Sequence, residues 1–298
     1  MLYSKSKPAI ALLLTLMFIM LITVSIAVSL KYVKNSTQTL KDENFMFEVT
    51  TVINDFVNIL KTSSELNKVT DSDALALFLA ESSLLPFESQ DMRVMIEMKS
   101  ARAKINPNTF NTAQKINRLQ NFLLSKTVNP EYTDMLSDSI NGIKEDNVYN
   151  SDIFVEYPSL FRDYIASDKQ LEKLNQIYKI KYHEESLNNI NFNELFYTSN
   201  DKNSTIDLNY ATPLVWELMI GCDKERAMTL NAGSGTYQSL EDLSLDKKEI
   251  VALSYFSTSY FSPILDVSIN IHKNGESAFV RFEYNIVTKK GSNFVFKV

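Results

Sequence analysis

One cysteine, two histidines and six glycines in 298 residues leave little material for several kinds of chemistry. Cys222, alone, cannot close an intramolecular disulfide, so stability has to come from the size of the core. It follows Ile220 and Gly221 and reads as a small buried apolar residue rather than a nucleophile. The glycines never fall in a GxGxxG or GxxxxGK arrangement, so no recognised phosphate cradle is present. His183, in KYHEESL, and His272, in INIHKNG, have no serine, cysteine or second histidine at an activating spacing. Both read as surface or packing residues, and a zinc site is equally short of ligands. Positive charge is scarce too. The formal net charge is -6 and no basic tract follows the N-terminal region, which argues against a phosphate-backbone partner. No nucleic acid is expected, and with no triad or paired-carboxylate pattern the chain reads as non-enzymatic.

What the chain does have is AIALLLTLMFIMLITVSIAVSL, an uncharged apolar run over residues 9–30. As a helix it reaches roughly 33 Å, enough to cross a hydrocarbon core of about 30 Å. A cleaved secretory leader is the competing reading, but its apolar core is normally shorter and ends in small residues. The run lacks an Ala-x-Ala exit, so a retained anchor is the preferred reading. Lys5 and Lys7 precede it and Lys31, Lys34 and Lys41 follow, so the positive-inside count barely chooses an orientation.

Helical spacing continues beyond the run. Phe45, Val49, Val52, Phe56 and Ile59/Leu60 recur at three- and four-residue steps, and neither Pro nor Gly lies between Ala9 and Leu66. The spacing predicts one long helix, its second half lying on a soluble domain. After LLPFES the pattern changes: Met92, Val94, Ile96 and Met98 alternate as on one face of a strand, and a second short strand is expected to end at Lys104–Ile105. The middle reads helical around AQKINRLQNFLLSK, TDMLSDSINGI, PSLFRDYIAS, KQLEKLNQIYKI and TPLVWELMIG. The C-terminus returns to strands, with K-N-G-E and K-K-G-S as hairpin turn signals. Leu265, Val267, Ile269 and Ile271, with Val280, Phe282, Tyr284 and Ile286, form one dry face, and the long helix is its natural cover.

Two Asn-rich phrases, KINPNT and IDLNYATP, read as structural turns, with Thr212 as an N-cap and Pro213 in the first turn of a helix. The segment after Trp216 has the outline of a helix–hairpin–helix. Only Lys224 and Arg226 stand near its turn among Asp223, Glu225, Glu241 and Asp242, which favours packing or protein recognition over a phosphate contact. LSDSINGIKEDNVYNSDIFVEY gathers Asp138, Asp146, Asp152 and Glu156 around one loop. Calcium takes such oxygen ligands, but the spacing is not that of an EF-hand, and a solvated acidic loop is the alternative.

In order along the chain, KPAIALLLTLMFIMLI, KINPNT, DKQLEKLNQIY, IDLNYATPLVWELMIG and TYQSLEDL, followed by the final strands, resemble the minor pseudopilin K family of bacterial type II secretion. The resemblance spans almost the whole chain. It implies an α+β fold: a long N-terminal transmembrane helix packed on a pilin-like antiparallel sheet, with a large inserted, mainly helical domain. It implies a leader over residues 1–9, a long helix over 10–66 containing the span 10–30, and a first part of the pilin-like domain over 67–105. The insertion would cover 106–250, and the strands of 251–298 would complete the sheet. It also implies cleavage between Ala9 and Ile10 by a prepilin peptidase, although many pilin-type leaders have Gly where this chain has Ala9. Leu14 stands where most other pseudopilins carry Glu, which fits the K member. The family's acidic insertion binds calcium; the resemblance carries that over only to Asp138 and Asp146, and no other cofactor is expected. The implied role is that of a non-enzymatic subunit at the tip of a pseudopilus, in the bacterial inner membrane with its C-terminal domain in the periplasm. Its partners would be the I and J minor pseudopilins and other pseudopilus subunits. An anchored exported protein unrelated to secretion and a DNA-uptake module are the alternatives.

Overall fold

Period-four apolar spacing at one end of the chain and period-two alternation at the other assemble around a common sheet. The computed structural model describes residues 44–298 apart from Gln90, residues 145–147 and Val298. The expected span over 10–30, the Ala9–Ile10 pair and Asp146 lie outside the described residues. Among those described, no helix is long and apolar enough to cross a membrane.

Helix α1 (44–62) buries Phe45, Val49, Ile53, Phe56 and Leu60, a single stripe at steps of three and four. The 3₁₀ turn Leu66–Lys68 leads to α2 (Ser72–Ser82), whose N-cap Asp71 accepts a hydrogen bond from the Ala74 N–H at 2.9 Å. The sheet has five antiparallel strands in the order β1 (Leu84–Ser89), β2 (Met92–Ser100), β5 (Ile264–Lys273), β6 (Glu276–Asn285) and β7 (Lys290–Lys297). The intervening two-residue strands β3 (Ile206–Asp207) and β4 (Thr258–Ser259) form a separate parallel pair. Val94, Ile96 and Met98 pair across from Ile271, Ile269 and Val267, and Val267, Ile269 and Ile271 pair with Phe282, Val280 and Ala278. Residues in register share a face, so the apolar sets of three strands form one surface beneath α1 and α2. Each such side chain, fully buried, contributes about 1.5–3 kcal/mol.

The helical body lies between β2 and β5 in sequence. It contains α3 (Ala113–Ser125), α4 (Glu131–Ile140), α5 (Ile153–Glu156), α6 (Asp168–Tyr182), α7 (Phe192–Leu195), α8 (Pro213–Ile220), α9 (Lys224–Ala232) and α10 (Lys247–Leu253). Its core is a second cluster, drawn from residues 105–256, with Trp216, Tyr132, Tyr178 and Phe110 fully buried. Tyr132 and Tyr178 meet edge to face at 5.2 Å.

LLPFES, for which no strand was expected, forms β1. Three local expectations change. No second strand ends at Lys104–Ile105; Ile105 makes one isolated parallel bridge to Phe196. PSLFRDYIAS is irregular, because Asn108 captures it: its Oδ1 accepts from Ile165 N–H at 2.7 Å and its Nδ2 donates to Ile165 O at 3.0 Å. The last hairpin turns at residues 286–289, with Lys289 at φ 57°, which leaves Gly291 inside β7. The K-N-G-E turn is where it was expected, with Asn274 and Gly275 both left-handed at φ 52° and 89°, the geometry that suits a two-residue hairpin. Ile269 sits at the centre of the sheet with no exposed surface, and Ser268 lies on the opposite face. Ile269→Ala is expected to lower unfolding free energy by about 2–5 kcal/mol in a urea titration, and Ser268→Ala by less than about 0.5 kcal/mol.

Candidate functional site

The two cores meet along a seam where the sheet's polar face and the ends of β2, β5 and β6 touch the helical body. Charged side chains of β5 and β6 face outward here because strand periodicity places them opposite the dry face. Arg102, just beyond β2, donates from Nη1 and Nη2 to the Glu283 carboxylate at 2.9 and 3.0 Å, and its guanidinium lies 4.7 Å from the Tyr197 ring centroid. Both partners of this pair are nearly buried, with side chains 9% and 15% exposed. Arg281 grips Asp266 through Nε and Nη2, both at 2.8 Å, and its Nη1 reaches Asp168, at the start of α6, at 3.6 Å. Asp207, on β3, is wholly buried. Its carboxylate accepts from Ser262 N–H at 3.0 Å, Asn209 N–H at 3.1 Å and Ser100 Oγ at 3.5 Å. Burial outweighs these donors and pushes its pKa up to about 6.

The two Asn-rich phrases supply further staples. Asn106 Nδ2 donates to the carbonyls of Ser199 and Asp201, at 2.9 and 2.8 Å. Asn209 accepts from Tyr237 N–H at 2.8 Å and donates to Tyr237 O and Tyr260 O, each at 2.7 Å. A buried amide with both ends satisfied fixes the path of three segments at once. A cleft of about 680 Å³ opens along the seam, lined by Lys104, Asp266, Arg281, Glu194, Tyr210 and Thr212 among others. Burial, then the nearby Arg281 charge, lowers the Lys104 pKa. The carboxylates of Asp266 and Glu97 are already held, by Arg281 and by Lys99 at 2.6 Å. This arrangement joins the sheet to the helical body.

Asp138, the described half of the expected calcium pair, is fully buried at the end of α4. Its oxygens accept from Asn150 N–H at 3.0 Å, Ser151 N–H at 2.7 Å and Ser151 Oγ at 2.7 Å, which folds the acidic loop back onto the helix. Asp152 and Glu156 both clasp the Lys181 ammonium, at 2.5 and 2.6 Å. Among the described residues there is no group of three or more His, Cys, Asp or Glu that could hold a metal. His183 is the left-handed C-cap of α6, and His272 lies on the exposed part of β5. Burial pushes the half-buried Cys222 thiol up to about 11. The hairpin between α8 and α9 turns at Gly221, φ 70°, over which the Arg118 guanidinium packs so closely that a Cβ would lie 2.4 Å from it. Arg118 Nε donates to Met219 O at 3.1 Å, so this cation braces the hairpin. The Arg102–Glu283 pair was not singled out from the sequence. No local spacing connects positions so far apart.

One chain of the crystal structure of the GspK-GspI-GspJ complex from the enterotoxigenic Escherichia coli type 2 secretion system superposes on this one with a TM-score of 0.59. The match covers 89% of this chain and 99% of that chain, at 11% sequence identity. The two share a fold. No family model matches the chain, and no curated protein matches it in sequence. The likeness expected from the sequence landmarks is thus present in three dimensions, sheet and helical body together.

Removing one member of the buried pair leaves the other charge unsatisfied. Glu283→Ala is expected to destabilise by about 3–5 kcal/mol, whereas the double replacement Arg102→Met with Glu283→Leu costs far less, as read by denaturant titration. Asp207 has a folded-state pKa above its unfolded value of 3.8, so its contribution is present at low pH and lost as pH rises through about 6. The stability advantage of the native chain over Asp207→Asn should therefore decline from pH 4.5 to pH 7.5, by up to about 2 kcal/mol. A difference independent of pH would contradict this assignment.

Proposed function

We propose that this protein is a minor pseudopilin of a type II secretion system, a non-enzymatic subunit that sits at the tip of the pseudopilus and starts or caps its assembly. The observation that carries the reading is architectural: α1 lies along a five-stranded antiparallel sheet, and a large helical body enters and leaves between neighbouring strands β2 and β5. The shared fold with a chain of the GspK-GspI-GspJ complex supports it. So does the apolar run of residues 10–30, which precedes α1 and is long enough to span the inner membrane.

In this reading the chain divides as a leader over 1–9, a long helix over 10–66, and a sheet domain built from 67–105 and 251–298 around an inserted domain over 106–250. A prepilin peptidase cuts between Ala9 and Ile10. The apolar helix then stays in the inner membrane, with the rest of the chain in the periplasm, and later joins the helical bundle of the filament. The helical body gives the tip position its physical basis. A protomer repeated along a packed filament would need lateral clearance for this body at every step, whereas a terminal subunit needs it only once. Partners are the I and J minor pseudopilins and further pseudopilus subunits. Calcium at Asp138 and Asp146 is not required by any part of this reading.

Mass analysis of the mature protein from its native membrane tests the processing step. Loss of Met1–Ala9 and a new N-terminus at Ile10 are expected, and Ala9→Glu should block the cut. Retention of Met1, or a start beyond residue 30, would overturn the assignment. Crosslinking in cells should capture the I and J members; if neither is captured and the purified domains also fail to associate at micromolar concentration, the tip role fails.

A further inference from the structure

Among the described residues the sheet has two free edges, and they are guarded differently. β1 carries Pro86, which has no N–H to offer a further strand, and the Glu88–Arg93 pair at 2.8 Å occupies its far end. β7 has no proline. Its consecutive residues Phe294, Val295 and Phe296 are 44%, 46% and 49% exposed. An apolar run on an edge, beside unpaired backbone donors and acceptors, is a template for another strand. Phe296 pairs across from Val280, and Phe294 stacks on Phe282 with ring centroids 4.9 Å apart, so both rings lie on the apolar face at its open margin. Val295 pairs with Arg281 on the polar face. Lys290 and Lys297 bracket the run on that same face, in register with Asn285 and Phe279, and neither has an ion-pair partner among the described residues. A bulge opposite Phe282, made by Asn293 and Phe294, places Asn293 in the left-handed region, φ 55°, and leaves residues 295–297 as the regularly paired end of the edge.

The lysines make this edge selective. A second copy paired antiparallel along the full strand would set Lys290 of one copy against Lys297 of the other, twice, and like charges directly opposite are destabilising. A strand bearing carboxylates at those places is attracted instead. We propose that β7 is a docking edge for an extended segment of a partner protein that alternates apolar residues, laid beside Phe294 and Phe296, with acidic residues laid beside Lys290 and Lys297. The proposal defines the partner by this chemistry alone and goes beyond the pseudopilin reading, so either can fail without the other.

The test uses the full chain and two blocked eight-residue peptides, one alternating Glu with Val and one alternating Lys with Val. Amide hydrogen exchange at residues 294–297 should slow with the Glu peptide and not with the Lys peptide. Its affinity should exceed that of the Lys peptide by about tenfold, and the double variant Lys290→Glu, Lys297→Glu should reverse that preference. These positions are exposed, and retention of the fold is checked by circular dichroism; Lys290→Gln with Lys297→Gln, which should abolish the preference, serves if the reversed variant does not fold. Equal binding of both peptides, or protection confined to another element, overturns the proposal. So does β7 protection that rises with protein concentration in the absence of peptide, because the occupant is then a second copy.

Discussion

The whole molecule depends on one topological constraint: β2 and β5 are hydrogen-bonded neighbours although residues 101–263 lie between them. Paired strands sit about 4.8 Å apart, so the helical body has to start and finish at nearly the same point. Ser100 pairs with Leu265, and Ala101 N–H still donates to Ile264 O at 2.9 Å as the chain leaves the sheet. Such a body is held by a narrow neck unless other contacts fix it. The buried Arg102–Glu283 pair and the Asp207 cluster lie at that neck, where a few strong polar contacts constrain orientation more than the same number elsewhere could.

Polar contacts suit this place for a physical reason. An apolar seam would have merged the two cores and allowed several packings of similar energy, because apolar contact is non-directional. A bidentate guanidinium–carboxylate pair accepts one geometry. Its desolvation cost means that it adds little net stability compared with an apolar replacement. Asparagines 106, 108 and 209 follow the same logic on a smaller scale: each buried amide ties backbone segments that secondary structure does not connect.

Much of this architecture is legible in the residues. The stripe Phe45, Val49, Phe56 predicts α1 and its buried face, since a 3.6-residue period has one consistent reading over that length. The alternation in 264–271 and 280–286 predicts two strands and assigns every side chain to a face, and Asn274-Gly275 predicts their turn. Ile53 and Ile59 show the limit of the stripe: Ile53 is buried and Ile59 is largely exposed, a rotation of the helix that depends on how the sheet twists beneath it. Pro86 hid β1, because a proline in an apolar segment reads as a break until the segment is known to be an edge. PSLFRDYIAS has helical spacing, yet Asn108 holds its Ile165 by two hydrogen bonds from a distant turn, and local propensity yields.

By itself the sequence determined the periodicities, the turn at Asn274-Gly275, the cap at Thr212 and the long apolar run near the N-terminus, because each follows from interactions among residues close along the chain. The tertiary structure decided which carboxylate each cation of the seam would hold, that Asp138 turns inward to bind the backbone of its own loop, and which strand would be left on the open edge. Those outcomes depend on distances between residues far apart in sequence. Spacing carries no information about such distances, and the burial that gives each contact its strength exists only once the two cores have closed on each other.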